Sequence, residues 1–348
     1  MGPFRRSHYL PFIYQKYFIK IDKQTLISWC FIVYNNNNIL WEVCSVDNVI
    51  YEKIASMASS PDALNATSDY IADHLRLFVK ARDRVLVCFP TKRPEDLGAL
   101  FAEAVRRVGG VPIIWEEDLR WKTLLRLAFS QRAVAMIAPP LIILGLSKVA
   151  KATGTPLNIR NVVSAGYPCT DWMIDGIIKG LDCQTWGCFG PGIGPVVSGF
   201  SCGISRGVHI RENEYDVTVD GEKGAISVSP KSDSRLRLPI LDYGRLVADR
   251  CPCGRCNTRL MDIVPAERLG KELDALQQEL HSWTSILDVR LVKSACGLEM
   301  ELVVFPGEKL PKLPTTAKRV IRAWNPENDA PFALIPEWEK WENTSDSH

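Results

Sequence analysis

The chain has no long apolar run: its longest mainly apolar stretch lies near Leu26 to Tyr34, about half of the ~20 residues that a membrane-crossing helix requires. No membrane partner is expected. Arg5 and Arg6 precede that stretch, but Lys16, Lys20, Asp22 and Lys23 intervene and no small-residue cleavage site follows, so it does not read as a secretory leader. Gly2 is no acylation signal either, because Arg6 stands where a hydroxyl residue is needed. Charge excess is also missing. With 42 basic and 40 acidic residues interspersed, the formal net charge is +2, which gives no general hold on a phosphate backbone. Nucleic acid is therefore not an expected partner. Histidine is scarce at five, and His8, His74, His281 and His348 have no neighbouring nucleophile in the sequence. The eleven cysteines are odd in number and too few for a disulfide scaffold, which points to a reducing, cytoplasmic setting. Cys30, Cys44, Cys88 and Cys296 stand alone in apolar contexts and read as small buried hydrophobes.

What is present is an ordinary α/β composition, 46% hydrophobic and 24% charged over 348 residues. From Arg84 to Phe89 the residues read as a buried strand, and a helix carrying Leu97, Leu100, Phe101, Ala104, Val105 and Val108 follows. Val111 to Trp115, Val134 to Ala138 and Ile159 to Ala165 repeat the pattern, predicting a largely parallel sheet flanked by helices. Between about Trp186 and Asp249 the chain turns Gly-rich, with short alternating strands at Tyr215 to Val219 and Ala225 to Ser229. After Pro265 a helix places Leu269, Leu273, Leu276 and Leu280 on one face, and Val289 to Val292 and Leu298 to Phe305 form a hairpin across Gly297. The expected division is an N-terminal extension at 1–52, an α/β core with a β-rich part at 53–260, and a small α+β unit at 261–348. The extension, with its Asn35 to Asn38 run, offers no interpretable motif. The proline-rich stretch from Pro306 to Pro336 and the polar tail Glu342 to His348 are expected to be irregular.

The segment CPCGRC presents Cys251 and Cys253 on a tight turn that Gly254 permits. Cys202 and His209, earlier in the chain and seven residues apart, complete a Cys3His set suited to tetrahedral Zn2+. A first shell filled by protein leaves no position for water, so the role is structural. Cys256 is an alternative ligand, and unrelated surface thiols are the other reading.

Ser164 to Pro168 (SAGYP), Trp186-Gly187, Cys202 to His209, Leu238 to Tyr243 (LPILDY) and CPCGR occur in an order that resembles the phenylacetate-CoA ligases of the adenylate-forming, AMP-binding superfamily. The resemblance spans roughly Ile54 to Phe305. It implies the core of an adenylate-forming N-terminal domain, the zinc set named above, and a small C-terminal domain that swings over the active site. It implies ATP and Mg2+ as cofactors, and a small carboxylate, a nucleotide or CoA as ligand. It places nucleotide contacts at Gly166, Tyr167, Pro168, Trp186, Gly187 and Asp242.

Three family motifs depart from their pattern. Ile54 to Ser60 (IASMASS) falls on the phosphate loop but holds neither glycine nor lysine, and reads as a polar lead-in to the helix around Tyr70 to Phe78. Trp186 keeps an aromatic for adenine, yet no carboxylate for Mg2+ occurs between Asp182 and Glu212. Arg245 stands where an aspartate should accept from the ribose hydroxyls, with Asp242 as a shifted substitute. Lys340 is no match for the family's C-terminal lysine motif, and no catalytic residue is assigned. The leading expectation is a non-catalytic member retained to bind a ligand or a protein partner. The alternatives are an active carboxylate-CoA ligase and a zinc-ribbon nucleic-acid binder.

Overall fold

The computed structural model describes residues 29–35, 38–44, 48–115, 119–191, 195–222, 224–265, 270–294, 297–310, 312–313 and 318–332. Gly2, Arg5, Arg6, His8, Leu269, Cys296, Lys340 and 342–348 lie outside them. The chain opens with an antiparallel hairpin, β1 (Trp29–Asn35) and β2 (Asn38–Cys44), where the sequence showed no motif. Helices α1 (Asn48–Ala58) and α2 (Pro61–Leu75) follow. Ile54 to Ala58 are thus the last turns of α1, not a lead-in segment. Ile54 and Ala58 are spaced one helical turn apart and bury against Phe189, Val196 and Val208, which is why this polar-looking stretch coils. The next helix starts abruptly because Ser60 Oγ accepts from the Ala63 N–H at 3.3 Å and Pro61 fits the first turn.

Strand–helix alternation then runs as the periodicity predicts: β3 (Arg84–Val87), α3 (Leu97–Arg107), β4 (Val111–Ile114), α4 (Trp121–Ser130), β5 (Ala135–Ala138), α5 (Pro140–Thr153), β6 (Asn161–Ser164), α6 (Asp171–Leu181) and β7 (Gln184–Phe189). These five strands are mutually parallel in the order β7-β6-β5-β3-β4. One face carries α2 and α3, burying Ile71, Leu75, Phe101 and Val105. The other carries α4 and α5, burying Trp121, Leu124, Ile142 and Leu146.

The β-rich stretch is an extension of this sheet. β8 (Gly199–Phe200), β9 (Val208–Ile210), β10 (Tyr215–Asp220), β11 (Ala225–Pro230), β12 (Leu238–Val247) and β13 (Arg259–Pro265) continue it antiparallel from β7 in the order β8-β9-β13-β12-β11-β10. Helix α7 (Gly270–Ser282) and strands β14 (Ile286–Ser294), β15 (Gly297–Val304) and β16 (Lys318–Ala323) form a separate three-stranded sheet with one covering helix. The expected hairpin is there, and β16 adds in parallel to β15 within the stretch expected to be irregular. Its residues, KRVIRA, lie mostly exposed at a sheet edge, so no buried-face alternation marked them. The expected division points 52/53 and 260/261 fall inside α1 and β13. No helix among the described residues is long and apolar enough to cross a membrane.

Gly145 shows how tightly the helices pack on the parallel strands. A Cβ there would strike Cη2 of the Trp121 ring, a residue that is 1% exposed. Alanine would gain about 1 kcal/mol of helix propensity. Overpacking a filled core costs about 1–3 kcal/mol. Gly145→Ala is therefore expected to lower stability, read as an earlier urea midpoint, and an unchanged or later midpoint would show that Trp121 does not seat against α5.

Candidate metal centre and the nucleotide cradle

Two turns meet at the edge between β9 and β13. Cys202 leaves β8 and the chain reverses through Gly203 and Gly207, at φ +71° and +86°, before entering β9 at Val208. A side chain at Gly203 would strike the Trp186 ring, and one at Gly207 would strike the Leu260 carbonyl, so both positions need glycine. The second turn joins β12 to β13. There the Cys251 N–H donates to Arg255 O at 3.3 Å and the Gly254 N–H donates to Cys251 O at 2.9 Å. Pairing of Arg259 with His209 lays this turn against β9.

The result brings Cys202 Sγ, His209 N, Cys251 Sγ and Cys253 Sγ within 4.8 Å of one another. Cys202 Sγ lies 3.7 Å from Cys251 Sγ, and Cys253 Sγ lies 3.4 Å from His209 Nε2. A tetrahedron with Zn–S bonds of ~2.3 Å and a Zn–N bond of ~2.1 Å has edges of roughly 3.8 Å and 3.5 Å. The donor set fits that ion in both spacing and softness. Cys256 is exposed, with its sulfur turned to Gly254 O at 3.9 Å, and stands outside the group.

The surroundings prepare the donors. His209 Nδ1 lies 3.1 Å from Asn257 Oδ1, while Asn257 Nδ2 donates to Ile210 O at 2.8 Å. The amide's orientation is thereby fixed with its oxygen toward the ring, so Nδ1 must be the donor and Nε2 keeps its lone pair for the thiols. Burial pushes the Cys251 thiol up, but hydrogen bonds from Ser205 and Cys253 outweigh it and bring it to about 6. Burial and the adjacent thiols Cys251 and Cys202 push Cys253 up. Three thiolates this close would repel one another, and a cation at their centre would remove that conflict.

The same turn reaches α2. Arg255 Nη1 donates to His74 Nε2 at 2.8 Å, and His74 Nδ1 donates to Tyr70 O at 2.8 Å. Burial holds His74 down at about 4, so it stays neutral and can accept from Arg255. Neither partner carries a local sequence signal, since α2 and the turn are 181 positions apart.

The nucleotide contacts expected from the family resemblance are only partly assembled. Gly166, Tyr167 and Pro168 follow β6, and Trp186 and Gly187 lie on β7, its parallel neighbour, so the first two groups meet at the carboxyl edge of the sheet. Trp186, however, offers adenine no face. It is 6% exposed, Phe78 stacks on it at 4.6 Å and 25°, and Nε1 donates to Asn161 Oδ1 at 3.3 Å. Asp242 is 4% exposed in β12, opposite Pro265, with β13, β9 and β8 between its strand and β7. A buried carboxylate there does not present two acceptors to a ribose. Arg245 pairs with Asp262 instead. Glu212, the next carboxylate along, accepts from the Thr258 N–H at 2.7 Å and is committed to the metal turn.

Neither a protein-family model nor a curated protein sequence matches the chain. Solved structures do. A 2-hydroxyisobutyryl-CoA ligase in the postadenylation state, in complex with R3-HIB-AMP, superposes with a TM-score of 0.60 at 13% identity, covering 82% of this chain and 72% of that one. The same enzyme in an open conformation with 2-HIB-AMP and CoA gives 0.53 at 13% identity, covering 70% and 60%. In the thioesterification state it gives 0.52 at 15% identity, covering 83% and 73%. The mixed α/β architecture is thus similar in fold to that CoA ligase.

Metal ligation separates the two neighbouring thiols. Cys251→Ser is expected to lower bound zinc well below one per chain and to destabilise the β8–β13 region, because metal affinity contributes folding free energy. Cys256→Ser is expected to leave zinc content unchanged. Elemental analysis of both variants checks this, and equal zinc loss would place Cys256 in the shell.

Proposed function

We propose that the chain is a phenylacetate-CoA ligase-like protein that keeps the adenylate-forming fold, holds one structural Zn2+ through Cys202, His209, Cys251 and Cys253, and does not adenylate. Its retained role is binding, either of a small carboxylate, nucleotide or CoA ligand or of a protein partner, in a reducing compartment. When bound, the zinc supplies structure alone: four protein donors fill its shell and leave no place for an activated water.

The observation that carries the non-adenylating reading is the helical state of Ile54 to Ala58. Adenylation needs backbone N–H groups gathered around the leaving pyrophosphate. In α1 those N–H groups are spent on the preceding turn, as when Ser59 N–H donates to Ala55 O at 3.0 Å, and the segment supplies no lysine. The covered face of Trp186 and the pairing of Arg245 with Asp262 support the same reading from two other sites. The active-ligase reading has one observation in its favour, the superposition on an enzyme in its postadenylation state. Fold alone does not carry chemistry across.

Exchange of labelled pyrophosphate into ATP isolates the adenylation half-reaction. The purified chain, with Mg2+ and a panel of aryl and fatty carboxylates, is expected to give no carboxylate-dependent exchange. Losing one electrostatic contact to a transition state typically costs about 10²- to 10³-fold, and here three are displaced. Exchange that requires a particular carboxylate would overturn the proposal and establish the ligase.

A further inference from the structure

The family resemblance implies a C-terminal domain that swings, yet α7 and β14–β16 are built into the main core. Leu287, Val303, Phe305 and Phe332 are all under a tenth exposed and share one apolar cluster with Trp121 of α4 and Ile142, Leu146 and Val149 of α5. We propose that Lys148, on α5, is a latch that fixes α7 and β14 to the α/β core and makes the C-terminal unit a permanent wall of it.

The geometry is that of an ammonium in a carbonyl cage. Lys148 Nζ donates to His281 O at 2.7 Å, Ile286 O at 2.7 Å and Trp283 O at 3.3 Å. An ammonium has three donors, and all are used. The acceptors lie at the carboxyl end of α7 and in the turn into β14, where backbone carbonyls have lost their helical partners and the helix dipole favours a cation. Separation of the two elements would strip the charge of every acceptor at once.

Two buried groups sit at this contact. His281 is 5% exposed and stacks on Trp172 of α6 at 5.7 Å and 23°, and neither of its ring nitrogens has a hydrogen-bond partner among the described residues. Burial, with the Lys148 charge beside it, holds this imidazole well below its ordinary value, so it lies neutral against the indole. Asp288, 6% exposed, accepts from the Val289 N–H at 2.9 Å and the Phe332 N–H at 2.7 Å, tying β14 to the end of the described chain near the latch. At the start of α4 the Trp121 N–H donates to Asp329 O at 3.0 Å, and Lys122 pairs with Glu327. The unit is therefore held by both α5 and the start of α4. The latch does not depend on whether adenylation occurs, since its donors and acceptors lie outside the cradle.

Amide hydrogen exchange on the whole protein tests it. In the native chain, α7 and β14 are expected to exchange within about threefold of β5 and β6, because all open in the same global event. In Lys148→Met, α7 and β14 are expected to exchange at least about tenfold faster than β5 and β6. Lys151→Met, an exposed change on the same helix, should leave the ratio untouched. The proposal is overturned if α7 and β14 already exchange about 100-fold faster than β5 and β6 in the native chain, or if Lys148→Met does not change the ratio. Should Lys148→Met not accumulate folded, the native comparison alone decides. Pyrophosphate exchange seen alongside slow, uniform amide exchange would remove the non-adenylating reading and leave the latch standing.

Discussion

Three thiols and an imidazole from two distant turns converge within 4.8 Å, where β9 meets β13 in the antiparallel half of the sheet. Two thiolates 3.7 Å apart would repel each other, and a cation between them would remove that conflict. With the proposed zinc the same contacts become bonds. They would tie the Cys202–His209 reversal to the β12–β13 turn, beside the pairing of β13 with β9. The glycines at 203 and 207 belong to this constraint, as does Asn257, which fixes the imidazole's protonated nitrogen. Through Arg255 and His74 the constraint passes to α2, on the parallel side of the sheet.

The same packing that completes the fold closes the cradle. Gly203 lets the metal loop press on Trp186, and Phe78 covers the ring, so the aromatic expected to meet adenine became part of the core. Glu212 is drawn to the metal turn and Arg245 to Asp262. Helix α1 occupies the sequence positions of the phosphate loop and turns Ile54 and Ala58 inward. Under the non-adenylating reading proposed above, each of these placements withholds a group that the family's nucleotide site would use.

Much of this was legible in the sequence because it is local. The strands from Arg84 to Ser164 and their helices follow from apolar spacing alone, and the four metal donors from residue type and spacing. What escaped was decided elsewhere in the chain. Ile54 to Ser60 looked like a polar lead-in because serine and alanine dominate it, and only the partners Phe189, Val196 and Val208 show which face is buried. Trp186 looked available because Phe78 comes from another element. Asp242 looked like a substitute acceptor, and its burial follows from pairing between β12 and β13. β16 was missed because an exposed edge strand needs no apolar alternation, and the His74–Arg255 bond because its partners are far apart in sequence.

X-ray absorption at the zinc edge tests the central claim most directly, on full-length protein purified without added metal. The account predicts one zinc per chain with three sulfur neighbours at ~2.3 Å, one nitrogen at ~2.0–2.1 Å and no oxygen. A shell with oxygen in it, with two sulfurs, or with zinc far below one per chain would contradict it.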